Sequence, residues 1–381
     1  LNILVLGYIV RGPFAGMTWH HLQYVKGLDS LNHKVFYMED SGESEYCCYH
    51  PDRGITDSDP TYGLKYLKRS LEYLKIEIPW AYYNQHKQEW YTNDGEKPFI
   101  DTKKFDLLIN LSCSNMLREW HLSIPIRVLI DTDPLFTQVR NLQSKERLSL
   151  SQLHNRWFTF GENIPTGESK VPKDGFTWRA TRQPIVMDDW NSPFQEVRKK
   201  FTSIIQWESY PSMTFNGLSY GMKSASFLPF FDFPSKTQTR IELALGSPSA
   251  PRKELRKAGW EIINPLSISK SLRLYKEYIQ QSYGEFCICK EGYVISHTGW
   301  FSERSAAYLA SGRPVVAQDT GFTKHLASGV GLLHFHDTET AIEALNDVMG
   351  NYSIHCKKAR ELAGSYFDSR MVLEQLICSS I

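Results

Sequence analysis

Two kinds of apolar pattern alternate along the chain. Residues 2–10 (NILVLGYIV) are almost continuously apolar, as expected for a strand covered on both faces of a parallel sheet. Residues 11–16 (RGPFAG) form a Gly/Pro loop. Apolar residues then return near helical spacing over 17–32 (Met17, Leu22, Val25, Leu28, Leu31), and 33–40 (HKVFYMED) read as a second strand. Such a βαβ start predicts parallel α/β architecture. Residues 41–100 are less regular. Within them 41–60 read as loop and 62–75 as an amphipathic helix, an excursion placed beside a cleft. Residues 105–113, 126–134 and 156–163 predict three more strands, each ending in a polar loop.

Turn signals crowd residues 172–190, which read as a connection between two halves. A second series follows. Strands are predicted at 202–207, 239–245, 260–265, 285–292 and 329–335, and helices at 221–231, 269–282 and 337–350, the last with Asp337 as N-cap. Two further helices close the chain. The organisation predicted is 1–190, then 191–367, then a final helix over 368–381.

Composition narrows this picture only slightly. With 381 residues, at roughly 150 per domain, two domains are expected. The formal net charge of +1 gives no overall attraction to nucleic acid or an anionic membrane, although a local basic patch remains open. The seven cysteines are odd in number and lack the convergent Cys/His spacing of a metal site. We therefore expect reduced thiols, no metal and a cytoplasmic protein. The apolar first ten residues lack the basic flank and cleavage site of a signal peptide and are too short to span a bilayer.

Ligands of parallel α/β sheets gather at the carboxyl ends of strands, and three stretches there carry candidate chemistry. The loop 11–16 ends in Gly16 and allows close backbone approach, but it is not a dinucleotide fingerprint; Glu39 and Asp40 end the next strand without the matching glycine spacing. His20 and His21 lie one turn into the following helix, where only one can face the cleft. In 130–134 (IDTDP), Asp131 and Asp133 share a face. They either look into the cleft or cap the strand end.

The third stretch, 299–322 (GWFSERSAAYLASGRPVVAQDTGF), is the most specific. Gly299, Trp300 and Phe301 form a turn. Ser302 reads as an N-cap, with Arg304 and Ser305 in the first helical turn. Free N–H groups and the helix dipole there favour an anion, and an arginine can pair with phosphate. Small residues let the helix lie close to the sheet. After a short strand, Gln318, Asp319, Thr320 and Gly321 offer hydroxyl-binding groups at the same sheet edge. A phosphorylated, hydroxyl-rich ligand fits this unit; an ordinary αβ packing unit is the competing reading.

The stretch SGRPVVAQDTGF (311–322) resembles the nucleotide-sugar-binding segment of glycosyltransferases with the GT-B fold. AGMTWHHLQYVKGLDSLNHKVFYMED (15–40) resembles that superfamily's start. The likeness to its bacterial family-1 and family-4-like members implies two Rossmann-like domains facing a central cleft. It also implies a UDP- or GDP-sugar as co-substrate and no required cofactor. The last helix is then expected to pack back on the first domain. Lys223 resembles the basic residue aimed at the donor diphosphate. His20, Asp131 and Asp133 become the candidate bases at an acceptor that the resemblance does not name: a glycan, small molecule, protein or DNA. The chain departs from the pattern at the pair of glutamates eight apart, whose places fall on Gly299 and Ala307. A retaining reaction is the favoured implication. A nucleotide-sugar epimerase, a non-catalytic binding module and a DNA-modifying transferase are the alternatives.

Overall fold

The computed structural model describes residues 1–93, 102–193 and 197–381. A first sheet is built from β1 (Asn2–Leu6), β2 (Lys34–Asp40), β3 (Trp80–Asn84), β4 (Glu89–Thr92), β5 (Leu107–Leu111), β6 (Ile126–Asp131), β7 (Arg156–Thr159) and β8 (Trp178–Ala180). Its order is β8-β7-β6-β5-β1-β2-β3-β4, parallel throughout except for the β3–β4 hairpin. Every residue of β5 and all but the first of β1 are buried, as expected of strands that are apolar but for Asn110 in β5 and Asn2 at the start of β1.

The second sheet contains β9 (Arg198–Gln206), β10 (Ile241–Gly246), β11 (Glu261–Ile263), β12 (Ser282–Cys287), β13 (Val315–Gln318) and β14 (Leu332–Phe335). It is wholly parallel, in the order β11-β10-β9-β12-β13-β14. Strand order therefore reverses beside the first strand of each sheet, between β1 and β5 and between β9 and β12. A crevice at the carboxyl ends of such a pair is where doubly wound sheets hold ligands.

One apolar cluster runs from the first sheet (Ile3, Val5, Ile109, Val128) into the near side of the second (Tyr308, Val315). A separate cluster with Phe201, Leu243 and Phe286 fills the far side of the second sheet. The connecting segment is packed rather than free. Trp190 is fully buried, packs at a tilt against Trp19 with ring centroids 4.6 Å apart and donates its Nε1–H to Gln23. Helix α1 (Ala15–Ser30) also receives α3 (Ser369–Ser380), with α2 (Glu303–Ala310) lying between them in sequence. A Cβ on Gly27 of α1 would sit 2.5 Å from Leu373.

Several elements differ from the sequence expectation. The irregular stretch 41–100 contains β3 and β4, and a small hairpin joins Cys48–His50 to Ile55–Asp57. Two short helices, Phe136–Gln143 and Lys145–Gln152, follow β6. The strand expected over 285–292 ends at Cys287, and residues 291–295 form a helical turn instead.

Candidate active site

At the switch point of the second sheet, β9 runs out toward a hairpin (Met213–Phe215 with Leu218–Tyr220) and the helix Lys223–Phe227; β12 runs out to Ile288, Cys289 and Lys290. Helix α2 points its N-terminus at the same edge. Ser302 caps it, its Oγ accepting from the Arg304 N–H at 3.2 Å. Tyr308 pins the helix to the sheet. Its hydroxyl bonds Thr202 at 2.6 Å, and Thr202 donates to Ser282 at 2.7 Å. Ala306, Ala307 and Ala310 are buried, and their small size permits this close approach.

Two cations meet here. Arg304 is buried. Its Nε–H donates to Glu285, a fully buried carboxylate in the middle of β12, and its Nη2 lies 3.2 Å from the Cys287 sulfur. Burial disfavours the guanidinium charge, but Glu285 more than offsets that and holds its pKa well above the ordinary value. Lys223 is only 8% exposed, and its ammonium makes no hydrogen bond or ion pair among the described residues. Burial first, and Arg304 second, push its pKa down. The buried Ser305 hydroxyl, in the first turn of α2, also lacks a partner. With Glu285 balancing Arg304, the Lys223 charge has no anionic partner among the described residues. Gly16 comes from the other half: a Cβ there would sit 3.3 Å from the hydroxyl of Tyr275, whose pKa burial raises against the opposing charge of Arg304.

The edges of the two sheets are tied together beside this cluster. Asn163, after β7, donates its side-chain N–H groups to the carbonyls of His297 (2.9 Å) and Gly321 (3.2 Å), and its Oδ1 accepts from His325 Nε2–H at 2.7 Å. Its backbone N–H bonds the Thr298 carbonyl. Trp300 donates to the Thr132 carbonyl at 3.3 Å, and Gln183 donates to the Phe301 carbonyl. Asp133, after β6, binds Lys290 at 2.7 Å and Tyr210 at 2.5 Å, together with Tyr293 and Arg140.

Solved structures of the same architecture extend over the whole chain. HepE from Anabaena, in complex with UDP and glucose, aligns with a TM-score of 0.57 at 10% identity and covers 100% of this chain and 99% of its own. Sucrose-phosphate synthase from Thermosynechococcus elongatus gives 0.56 at 9%, with the same coverage. An alpha-glucosyltransferase in complex with UDP and a 13-mer DNA containing an HMU base gives 0.56 at 13%, covering 99% and 98%. The chain has the GT-B fold. No protein-family model and no curated sequence matches it.

Within the GT-B frame the predicted site residues separate into two groups. Lys223, Ser302, Arg304 and Ser305 lie at the switch point of the second sheet, whereas Gly16 packs against Tyr275 of the helix Leu272–Gln280. Arg304, however, is already ion-paired in the interior instead of being free for a ligand. Gly299, Trp300, Phe301, Thr320 and Gly321 serve the contact between the halves or the turn itself. Thr320 donates to the Trp300 carbonyl at 2.5 Å. Asp319 accepts from Gly321 N–H and Thr323, and Gln318 accepts from Cys289 N–H, so both side chains are engaged within their own sheet edge.

The first half shows the same economy. Glu39 accepts the backbone N–H groups of Ile9, Val10 and Arg11, each at 2.7 Å, and so fills the anion nest of the loop after β1 with the protein's own carboxylate. Asp131 is a strand-end cap rather than a cleft-facing acid. It accepts from Thr137, Gln138, Thr159 and the Asp133 N–H. Asp133 spans the halves. Burial opposes its charge, yet Lys290 and Arg140 hold its pKa below the ordinary value. His20 is buried against Tyr24 and Phe160 with its Nε2 unpartnered, and burial lowers its pKa to about 4, so the ring is neutral at pH 7.

Glu285, Lys290, Asn163, Tyr210 and Tyr293 escape the sequence reading. Only Glu285 left a signal, as an acid inside an otherwise apolar strand. Surface cavities of about 120, 440 and 880 Å³ lie elsewhere and are not lined by Lys223, Arg304 or Asp133.

Proposed function

We propose that the protein is a glycosyltransferase that takes a sugar from a nucleoside-diphosphate donor and passes it to an acceptor held by the first half. The observation that carries this reading is the pair of Lys223, only 8% exposed and without a hydrogen bond or ion pair among the described residues, and the unpartnered Ser305 hydroxyl in the first turn of α2. A buried charge without a partner is costly, and a diphosphate would supply the missing anion. As the glycosidic bond breaks, negative charge grows on the leaving diphosphate. Lys223 and the first-turn N–H groups of α2 stabilise it there, and the Arg304–Glu285 pair forms the floor.

The positive field comes from these groups, so the reaction needs no metal in this reading. Asp131 is saturated and His20 is buried among the rings of His21, Tyr24 and Phe160. That favours a retaining course, in which no dedicated protein base is required. Bound UDP in the GT-B neighbours makes a uridine nucleotide the first donor to test.

Calorimetry with UDP, GDP and uridine, on the wild type and Lys223→Met, tests the reading. We expect a nucleoside diphosphate to bind, uridine to bind far more weakly, and the substitution to remove most of the difference. Equal affinity for diphosphate and nucleoside in both proteins would refute it.

A further inference from the structure

The strand end that leads from β12 carries a second group of donors, and a carboxylate already sits in it. Asp133 accepts from the Lys290 ammonium at 2.7 Å, from the Tyr210 hydroxyl at 2.5 Å, from the Tyr293 hydroxyl and from Arg140 at 3.3 Å. Three of these four donors belong to the second half, whereas Asp133 belongs to the first. Lys290 also donates to Tyr210 at 2.9 Å. Its ammonium lies over the rings of Tyr210, Phe136 and Tyr293 at 4.5, 5.0 and 5.2 Å, so aromatic faces wall the site and fix the cation in place. Burial and the Asp133 charge raise the pKa of both tyrosines, which keeps them protonated as donors. The Lys290 and Asp133 side chains are 12% and 22% exposed, so the group borders solvent rather than lying sealed in a core. A simple tie between two halves needs one cation and one anion. Here one ammonium and two phenols from one side converge on a single carboxylate from the other, which is the construction of an oxyanion site.

We propose that Lys290, Tyr210 and Tyr293 form an oxyanion-binding subsite for the donor substrate, and that Asp133 occupies it until the donor arrives. The proposal rests on the glycosyltransferase reading. Two parts of a donor share the required chemistry: the outer phosphate of the nucleoside diphosphate and the carboxylate of an acidic transferred sugar. Either would take over the three donors and release Asp133, so donor binding and the Asp133–Lys290 bond compete.

Calorimetry of wild type, Asp133→Asn, Lys290→Met and Lys223→Met with UMP, UDP, UDP-glucose and UDP-glucuronate tests this, with circular dichroism to check folding. Asp133→Asn is expected to bind the matching ligand about tenfold more tightly because the competitor is weakened. Lys290→Met is expected to bind it about ten- to a hundredfold more weakly. If the outer phosphate is the ligand, both effects appear with UDP and vanish with UMP. If a sugar carboxylate is the ligand, they appear with UDP-glucuronate and not with UDP-glucose. Unchanged or weakened binding by Asp133→Asn for all four ligands would overturn the proposal. If Lys223→Met meanwhile loses UDP, the proposed function still stands. Failure of the wild type to bind any of the four would sink both.

Discussion

Gly299 lies directly against Asn163, and a Cβ at that glycine would come within 2.8 Å of the asparagine's backbone nitrogen. The glycine also has φ +77°, a conformation that side chains with a Cβ rarely adopt. Gly321 stands on the other side of the same residue, where a Cβ would be 2.5 Å from the Asn163 Nδ2. The two turns thus form a socket for one side chain of the opposite half. Gly299→Ala should lower stability by about 1–3 kcal/mol through backbone strain and further through displacement of Asn163. Scanning calorimetry would detect this as a lower Tm. Asn163→Ala should loosen the contact between the halves without straining either turn. Small-angle scattering should then show a larger radius of gyration, and an unchanged radius would count against the socket as a tie.

Arg304 and Glu285 should behave as one unit. Removing either partner leaves a buried charge unpaired, so Arg304→Ala and Glu285→Ala are each expected to cost about 3–5 kcal/mol. Replacing both with apolar residues of similar size should cost less than either single change. Urea titrations of the three variants check this, and additive losses would show that the two side chains act separately. Donor binding is therefore better tested at Lys223 than at Arg304.

Nucleotide binding should draw a proton onto Lys223. Its pKa is depressed in the free protein by burial and by Arg304, and a bound diphosphate would raise it by stabilising the charged form. Calorimetry at alkaline pH, in two buffers of different ionisation enthalpy, should show proton uptake. Affinity should fall as pH rises through the free-state pKa. Lys223→Met should show neither effect.

Acid should begin to destabilise the fold below about pH 6.5, before most carboxylates titrate. His20, His121 and His154 are buried and neutral, each with a pKa pushed from 6.5 to about 4 by burial. His154 accepts from Asn110 at Nε2 and donates from Nδ1 to the Leu150 carbonyl, so a second proton would set two donors face to face. The unfolded chain binds these protons more readily. The stability contributed by each neutral ring is therefore complete above about pH 6.5 and is lost as pH falls through about 4, on the order of 3 kcal/mol per ring. Thermal melts between pH 7 and 4 should show a falling Tm, and His154→Gln should flatten the curve.

Elements buried on both faces were legible from pattern alone. β1 and β5 are apolar but for Asn2 and Asn110, and α2 announces itself by the Ser302 cap and its small residues. β3 and β4 were not legible, because a short aromatic stretch such as WAYYN (80–84) has no clear period. The site followed the same division. The N-terminus of α2 and the loop after β1 are local features and could be read. Their occupants could not, since Arg304 finds Glu285 across 19 residues and Asn163 finds Gly321 across 158. Such partners are chosen by the assembled sheets. Glu39 shows the cost most plainly: the loop after β1 looks receptive in sequence, but its nest is filled by an acid 30 residues beyond Ile9.

The return of α3 to α1 limits how this protein can be recombined. The linker near Trp190 looks like the natural place to cut when joining one half to the second half of another protein of this fold. A fragment ending there would lack Leu373 against Gly27 and the bond from Arg156 to the Ser380 carbonyl at 2.7 Å. It would also carry an uncovered apolar stripe on α1. A working hybrid would have to exchange residues 191–367 as an insert and keep residues 368–381 with the first half, so that the parental helix still closes the body it grew up with.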